Sequence, residues 1–357
     1  MPPAERRRTV LASAALLLVL VILALAIRPP DRVDDTDDGG ILRPVEHPVT
    51  LIPLAPPLDD PRAEISGLAW YGDWLILLPQ YPNWDARETD GSLYAIHRTD
   101  ILDYLDGQRS APPEVRSIPL HAPGLTRKVG GYQGFEALAF QGDRVFLLIE
   151  AGTGAEMSGY LVGGSIAPDL SEITLNVDAL HRTATPISIP NAGYESLVIA
   201  DDHLLAFYEG NGACLSHTLA ALLFDTEMTP LGTLPFPSIE WRITDATAVD
   251  STGRFWAINF GFPGSLEYNC GRDPLAEQYG EGSTHAASAV VERLVELAYS
   301  PSGITLVEQA PLQLELAAEA RNWEGIVRLD GRGFLLATDR YPTTLLGFVA
   351  WPQIKND

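Results

Sequence analysis

The sequence predicts an all-β fold: a five-bladed β-propeller that is closed by an N-terminal strand and preceded by one N-terminal hydrophobic helix. Three observations lead to this prediction. A polar residue followed by an apolar run recurs five times, short β-type runs fill the chain after residue 48, and helical periodicity is scarce there. Repeats built from four short strands are typical of propeller blades.

Each repeat carries a first polar position before one apolar run and a second polar position after the next. The two positions are 14 residues apart in four repeats and 15 apart in the last. Turn-forming residues lie midway, so each pair of positions spans a β-hairpin and both lie at the same end of the ring. The first-position residues are Ser66, Glu136, Glu195, Asp245 and Glu324. The second-position residues are Gln80, Glu150, Glu209, Asn259 and Asp339.

The last repeat has one strand fewer than the others before the chain ends. Residues 48–54 supply an apolar run at the other end of the domain, and pairing it with the last blade would close the ring and remove an open sheet edge. A six-bladed ring, with one degenerate blade between residues 260 and 321, is the alternative.

The N-terminus predicts a signal peptide or membrane-anchor helix over residues 1–28. Three arginines precede an uncharged apolar run, Val10 to Ile27, whose length favours a retained span, whereas residues 24–26 resemble a signal-peptidase site. We expect a single-pass protein of the cell membrane with the propeller outside the cytoplasm, or a secreted protein if the N-terminus is cleaved. Residues 29–47 predict an acidic, proline-rich linker, and residues 48–357 the propeller domain.

The charge balance excludes nucleic acid as a partner. The chain has 24 Lys and Arg against 47 Asp and Glu, a formal net charge of -23, whereas nucleic-acid binding needs a basic surface. An acidic surface suits cations, and anionic substrates only where a metal bridges them. The two cysteines, Cys214 and Cys270, follow the second strands of adjacent blades on one face, and in an exported protein they predict a disulfide.

The first positions predict a metal site. If the first strand of each blade is innermost, four carboxylates and a hydroxyl converge on the axis of the ring, and their mutual repulsion requires a compensating charge. Ca²⁺ accepts six to eight oxygen ligands in flexible geometry. We therefore predict a Ca²⁺ ion held by Ser66, Glu136, Glu195, Asp245 and Glu324. Structural carboxylates, bonded to backbone groups or arginines, are the alternative.

The second positions and nearby basic residues predict hydrolysis of a phosphorylated small molecule. Carboxylates beside the metal would orient the attacking water, and the predicted catalytic residues are Glu150, Glu209 and Asp339. Basic side chains would bind the phosphate oxygens, and the predicted substrate-binding residues are Arg62, Lys128, Arg242, Arg321 and Arg340. Ordinary ion pairing is the alternative interpretation of the basic residues.

These motifs resemble the phytase-like propeller family, also called esterase-like activity of phytase, and more distantly the calcium-dependent apyrases. The resemblance implies an exported or membrane-attached propeller with a central Ca²⁺ and a metal-dependent phosphoester hydrolase activity. The alternative is a non-catalytic binding or scaffold propeller with a purely structural cation. In the apyrase pattern each blade gives one Ser or Glu to the calcium, and Asp245 stands where a serine is expected. The segments that carry the resemblance are 65–68, 135–138 with Glu150, 193–197 with Glu209, and 322–326 with Asp339.

Overall fold

The computed structural model describes residues 43–85, 90–153, 156–187, 189–215, 219–264 and 271–352. The predicted anchor helix, and the predicted linker up to residue 42, lie outside these ranges, so membrane attachment stays a prediction. Among the described residues, no helix combines the length and apolar character needed to cross a bilayer.

Five antiparallel modules can be followed through the described residues, and the first two share one sheet. A parallel pairing of β6 with β10 joins them, and β10 and β11 both pair with β9. The strands of module 1 are β3 (Ile65–Tyr71), β4 (Trp74–Pro79), β5 (Ser92–His97) and β6 (Val115–His121). Those of module 2 are β7 (Tyr132–Gln141), β8 (Arg144–Thr153), β9 (Glu156–Ile166), β10 (Ile173–Leu175) and β11 (His181–Ala184).

The remaining three modules follow in chain order, and two N-terminal strands complete the last two. Module 3 contains β12 (Tyr194–Ala200), β13 (His203–Tyr208), β14 (Ala220–Asp225) and β15 (Pro230–Pro235). Module 4 contains β16 (Arg242–Ala246), β17 (Arg254–Gly261), β18 (Val291–Ser300), β19 (Gly303–Leu306), β20 (Leu312–Leu314) and β1 (Glu46–His47). Module 5 contains β21 (Trp323–Leu329), β22 (Gly333–Thr338), β23 (Leu346–Ala350) and β2 (Val49–Ile52).

Four short helices occupy connections between the strands in the described ranges. They are α1 (Arg98–Leu105), α2 (Leu125–Lys128), α3 (Pro274–Tyr279) and α4 (Ser283–Ala286). The sequence explains the start of α3, because the Asp273 side chain accepts hydrogen bonds from the N–H groups of Leu275 and Ala276, and proline occupies the first helical position. Between residues 260 and 321, the described strands all belong to module 4.

The modules form a closed ring. Their first strands contact one another in a cycle that runs β3, β7, β12, β16, β21 and back to β3. As the sequence predicted, the N-terminal strand β2 pairs with the last strand β23 and completes the sheet of module 5. The strand β1 pairs in parallel with β20, so Glu46 and His47, which the sequence assigned to the linker, lie in module 4. This arrangement is a β-propeller.

Buried apolar clusters fill the spaces between neighbouring modules. Each of the five module boundaries has its own cluster, which draws its side chains from the two adjacent modules. The hairpins of the first two strands turn through one left-handed residue each, which favours glycine or aspartate. These residues are Gly72, Gly142, Asp201, Gly253 and Asp330.

A β-bulge at the start of each module's first hairpin positions the site. The register of pairing shifts at this point in every such hairpin, and the residue left unpaired there is the first-position residue in modules 1, 2, 3 and 5; module 2 has a second shift, between Tyr132 and Gly134. In module 4 the shift spans Thr244 and Asp245. Bulges re-aim a side chain away from the regular alternation of a strand, so the repeated polar positions turn toward the ring axis.

Candidate functional site

A pocket of about 500 Å³ lies at the end of the ring where the first and second positions meet. We call it the mouth pocket. Its lining combines carboxyl, amide and aromatic side chains with one guanidinium group. The lining residues are Gln80, Glu136, Glu150, Asn191, Glu195, Arg242, Phe260, Phe262, Ala320, Asn322, Glu324, Asp339 and Tyr341.

Arg242, the first residue of β16, binds three carboxylates from modules 3 and 5. Its Nη2 donates to both oxygens of Glu195, at 2.8 and 3.0 Å, and lies 3.5 Å from Oε1 of Glu324. Its Nε donates to Glu209, whose other oxygen accepts the N–H of Gly193 at 2.9 Å. The guanidinium thus supplies much of the positive charge that the carboxylate ring requires.

Glu136 and Glu150 form the other side of the pocket, in module 2. Oε1 of Glu136 accepts a hydrogen bond of 3.2 Å from Nε2 of Gln80. Glu150 is 5% exposed, and its Oε1 is buried without a hydrogen-bond partner among the described residues. Gly193 packs against it, since a Cβ at that position would lie 3.0 Å from Oε1 of Glu150. A buried, unpaired carboxyl oxygen that borders a pocket is a candidate for contact with a ligand.

Burial raises the pKa values of the pocket carboxyl groups. Burial and then the charge of Glu209 raise the pKa of Glu150 to about 7. Burial and the neighbouring charge of Glu150 raise the pKa of Glu136 well above its usual range. The pKa of Glu195 is also raised by burial, and Arg242 opposes that rise by stabilising the ionised form. The pocket therefore holds protons near neutral pH unless a cation displaces them.

Two of the five predicted calcium ligands are engaged by the backbone. The Ser66 hydroxyl donates to the carbonyl of Phe135 at 2.6 Å. The Asp245 carboxylate accepts N–H groups of Ala246 and Ile326, both at 2.8 Å. Burial raises the pKa of Asp245 well above its usual range, although backbone donors, including the N–H of Leu68, oppose the rise. Ser66 and Asp245 therefore bond backbone groups of other modules, whereas Glu136, Glu195 and Glu324 line the mouth pocket.

The pairing register aligns Thr244, rather than Asp245, with Ser66. Ile243 pairs with Asn259, as Ile65 pairs with Pro79 in module 1. The Thr244 hydroxyl donates to the carbonyl of Trp323 in module 5 at 2.6 Å, just as the Ser66 hydroxyl donates to the carbonyl of Phe135 in module 2. The second position of module 4 correspondingly falls on Phe260, which lines the pocket, and the Asn259 side chain donates to backbone carbonyls of Glu240 and Arg242.

Only one of the five predicted phosphate-binding residues lines the mouth pocket, and it is Arg242. Arg62 pairs with Asp60 at the surface, and Lys128 pairs with Asp178. Arg321 is buried and binds the Glu292 carboxylate through its backbone N–H, Nε and Nη2.

The fifth, Arg340, is 67% exposed and lies 3.9 Å from Glu64. A phosphate in the pocket would thus meet one guanidinium that already binds carboxylates.

The predicted catalytic carboxyl groups lie together, but in different surroundings. Glu150 and Asp339 line the pocket, whereas Glu209 is fully buried behind Arg242. Asp339 accepts the backbone N–H of Tyr341 at 3.0 Å. Sequence reasoning missed Asn191, Phe262 and Asn322, of which Asn322 donates to Glu324 at 2.6 Å. Asn322 lies two residues before the first-position residue Glu324, and this closeness along the chain could have indicated it.

The metal and disulfide predictions stand as predictions. No group of three His, Cys, Asp or Glu side chains in the described ranges is arranged to hold a metal ion. Cys214 is disulfide-bonded, and Cys270 lies outside the described residues.

Comparison with known proteins gives no family. No family model matches the chain, and no curated protein matches it. Among solved structures, an α-L-arabinanase of Cellvibrio cellulosa is similar at 10% identity and a TM-score of 0.47, over 82% of this chain and 95% of that one. The catalytic domain of a GH62 α-L-arabinofuranosidase of Coprinopsis cinerea is similar at 8% identity and a TM-score of 0.44, over 85% of this chain and 96% of that one.

These comparisons correct the resemblance inferred from the motifs. An exo-1,5-α-L-arabinanase from a bovine ruminal metagenomic library is also similar, at 10% identity and a TM-score of 0.43, over 83% of this chain and 99% of that one. The assignment to the phytase-like family, and the distant likeness to apyrases, are wrong, because no family model supports them and the similar structures carry other names. At such identities and TM-scores, the likenesses carry no conclusion about activity.

Proposed function

We propose that the mouth pocket is the active site of a hydrolase in which Glu150 is the proton donor. The observation that carries the proposal is the Oε1 atom of Glu150, which is buried, borders the pocket and has no hydrogen-bond partner among the described residues. A carboxyl group with a pKa of about 7 is still partly protonated at neutral pH and can give its proton to a leaving group. The five modules would be the five blades that carry this site.

Glu195 is the proposed base. Arg242 donates to both of its oxygens and opposes the rise in its pKa that burial causes, whereas no such cation contacts Glu150 in the described structure. Two carboxyl groups in one pocket, one paired with a guanidinium and one without a partner on its Oε1, are suited to divide the roles of base and acid. In this scheme Glu195 takes a proton from the attacking water while Glu150 protonates the leaving oxygen.

The charge of the pocket restricts the substrate. Five carboxyl groups and one guanidinium line it, so an uncharged or cationic substrate is favoured over a phosphorylated one. Glycosidic bonds and carboxylic esters are both cleaved with the help of such groups, and pairs of carboxyl groups are the usual means of cleaving glycosides.

The experiment compares hydrolysis by the wild type, Glu150→Gln and Glu195→Gln on panels of aryl glycosides and aryl esters. Loss of an acid slows substrates with poor leaving groups most, and we expect Glu150→Gln to reduce their rate by about 10²- to 10⁴-fold. Glu319→Gln, the same substitution at an exposed residue that does not line the pocket, is the matched control and should hydrolyse the panels as the wild type does. Hydrolysis that is equally fast in Glu150→Gln, or no hydrolysis of any panel member by the wild type, would reject the proposal.

A second candidate is a Ca²⁺ ion bound by Glu136 and Glu150, with or without catalysis. The specific observation is that these two acids lie close enough to raise the pKa of Glu136, while Arg242 donates to the acids opposite. Ca²⁺ accepts carboxylate, amide and water oxygens, and Gln80 provides an amide beside Glu136. We expect Ca²⁺ to raise the melting temperature of the wild type and to have no effect on Glu136→Gln. Equal responses would remove this candidate.

A further inference from the structure

Exposed aromatic rings gather at the rim of the mouth pocket. In the described part of the chain, seven large hydrophobic side chains are exposed, and Tyr81, Phe262 and Tyr341 are among them. Phe262 and Tyr341 line the pocket and are 41% and 61% exposed. Tyr81 follows Gln80 and feels the charges of Glu136 and Glu150, which together with burial raise its pKa. Exposed rings concentrated at one pocket indicate a ligand that covers them.

The rings stand beside acidic groups. The backbone N–H of Tyr341 donates to the Asp339 carboxylate at 3.0 Å, so this ring and this acid are held on the same short segment. Phe262 stacks on Phe260, with ring centroids 6.2 Å apart and an angle of 22° between the planes. Aromatic faces and carboxylates both attract cations, and they do so most strongly where water is partly excluded.

The size and charge of the pocket indicate an organic cation. A volume of about 500 Å³ is far larger than one metal ion requires and lies in the range of small-molecule sites. Its lining carries five carboxyl groups against one guanidinium, that of Arg242, which already donates to three acids. A second guanidinium, that of Arg340, lies over the Tyr341 ring, 5.9 Å from its centroid, so this ring already attracts one cation. At the inner wall, the unpaired oxygen of Glu150, which is 5% exposed, is available to a polar group of the same ligand.

We infer that the mouth pocket binds a small organic ammonium compound, whose cationic head contacts the rings of Phe262 and Tyr341 and the adjacent carboxylates. The rest of the ligand extends toward Glu150. The binding of this ligand is independent of the proposed function. The further statement that the ligand is the substrate rests on the proposed function. An ammonium substrate with an ester or glycosidic bond near its head would place that bond between the rim and the proton donor.

The experiment measures binding by isothermal titration calorimetry with a matched pair of probes. Choline carries a quaternary ammonium, and 3,3-dimethyl-1-butanol has the same shape without the charge. We expect choline to bind at least ten-fold more tightly than the neutral alcohol. Phe262→Leu and Tyr341→Leu should each weaken choline binding by about two- to five-fold, the range of a single cation–π contact at a partly exposed site.

Two controls separate the rings from the fold. Tyr341→Phe keeps the aromatic face and should bind choline as the wild type does, and Leu231→Ala removes an exposed apolar side chain that does not line the pocket. Glucose serves as a third, uncharged probe. The inference would be overturned if choline does not bind, if the neutral alcohol binds as tightly as choline, or if glucose is the one probe that binds. Choline binding without hydrolysis of any tested ester or glycoside would leave the inference standing and reject the proposed function.

Discussion

Nη2 of Arg242 lies 2.8 Å from one carboxylate oxygen of Glu195 and 3.0 Å from the other. The same guanidinium donates to Glu209 through Nε, so one side chain from module 4 binds two acids of the neighbouring module 3. This arrangement divides the carboxyl groups of the mouth pocket. Arg242 opposes the rise in the pKa of Glu195 that burial causes, whereas no cation contacts Glu150 in the described structure, and burial raises the pKa of that group to about 7.

Arg242→Met should destabilise the folded protein by about 3–5 kcal/mol, because removing one partner leaves buried carboxylates without compensation. Urea denaturation at pH 7 measures the free energy of unfolding. Arg62→Met, which breaks an exposed ion pair with Asp60, is the control and should leave the unfolding midpoint unchanged. If Arg242→Met unfolds at the wild-type urea concentration, the guanidinium does not compensate the acids.

Asp245→Asn should lower the free energy of unfolding by about 1–3 kcal/mol, because an amide has one acceptor oxygen and its NH₂ group would face an N–H donor. The Asp245 carboxylate accepts the N–H groups of Ala246 and Ile326, which belong to two different modules. Asp202→Asn, at an exposed position, is the control in the same denaturation experiment. Equal stability of the two variants would show that Asp245 does not link these strands.

Gly193→Ala should perturb the acid without unfolding the protein. A Cβ at residue 193 would lie 3.0 Å from Oε1 and 3.2 Å from Cγ of Glu150, so the side chain has to shift. We expect hydrolysis or choline binding to fall while the far-UV circular dichroism spectrum stays unchanged. Gly331→Ala is the control, since a Cβ there meets no atom within 4 Å. A variant with wild-type binding and turnover would argue against any role for the position of Glu150.

Glu150→Gln should change how stability depends on pH. Below pH 4.5 the carboxyl group is protonated in both the folded and the unfolded chain, and it contributes no difference. As the pH rises from 4.5 to about 7, Glu150 ionises in the unfolded chain while the folded protein keeps its proton. The free energy of unfolding of the wild type therefore falls by up to about 3 kcal/mol.

Glutamine does not titrate, so the variant should gain stability relative to the wild type across this window. The measurement is urea denaturation of both proteins at several pH values from 4 to 8. Parallel curves would mean that the pKa of Glu150 is not raised.

The spacing of the repeats predicted much of this site. Because a hairpin returns its second strand beside the start of its first, a separation of 14 residues is enough to place Glu136 beside Glu150 and Glu195 beside Glu209. The pairing of β2 with the last strand also followed from the sequence, since module 5 was one strand short.

The remainder depended on register and on distant partners. In module 4 the choice between Thr244 and Asp245 is settled by the pairing of Ile243 with Asn259, and a one-residue shift of this kind leaves little trace in a sequence. The phosphate-binding residues were predicted from their closeness to the first positions along the chain. Arg321 instead binds Glu292 of β18, and because of this contact its side chain does not line the mouth pocket.

The role of Glu150 as proton donor is tested most directly by a titration of Glu150 itself, by NMR of ¹³C-labelled glutamate carboxyl groups from pH 4 to 9. Assignment comes from the signal that disappears in Glu150→Gln. We expect this signal to titrate with a pKa of about 7. A pKa of 4.5 or below for Glu150 in the folded protein would contradict its role as the proton donor of the mouth pocket.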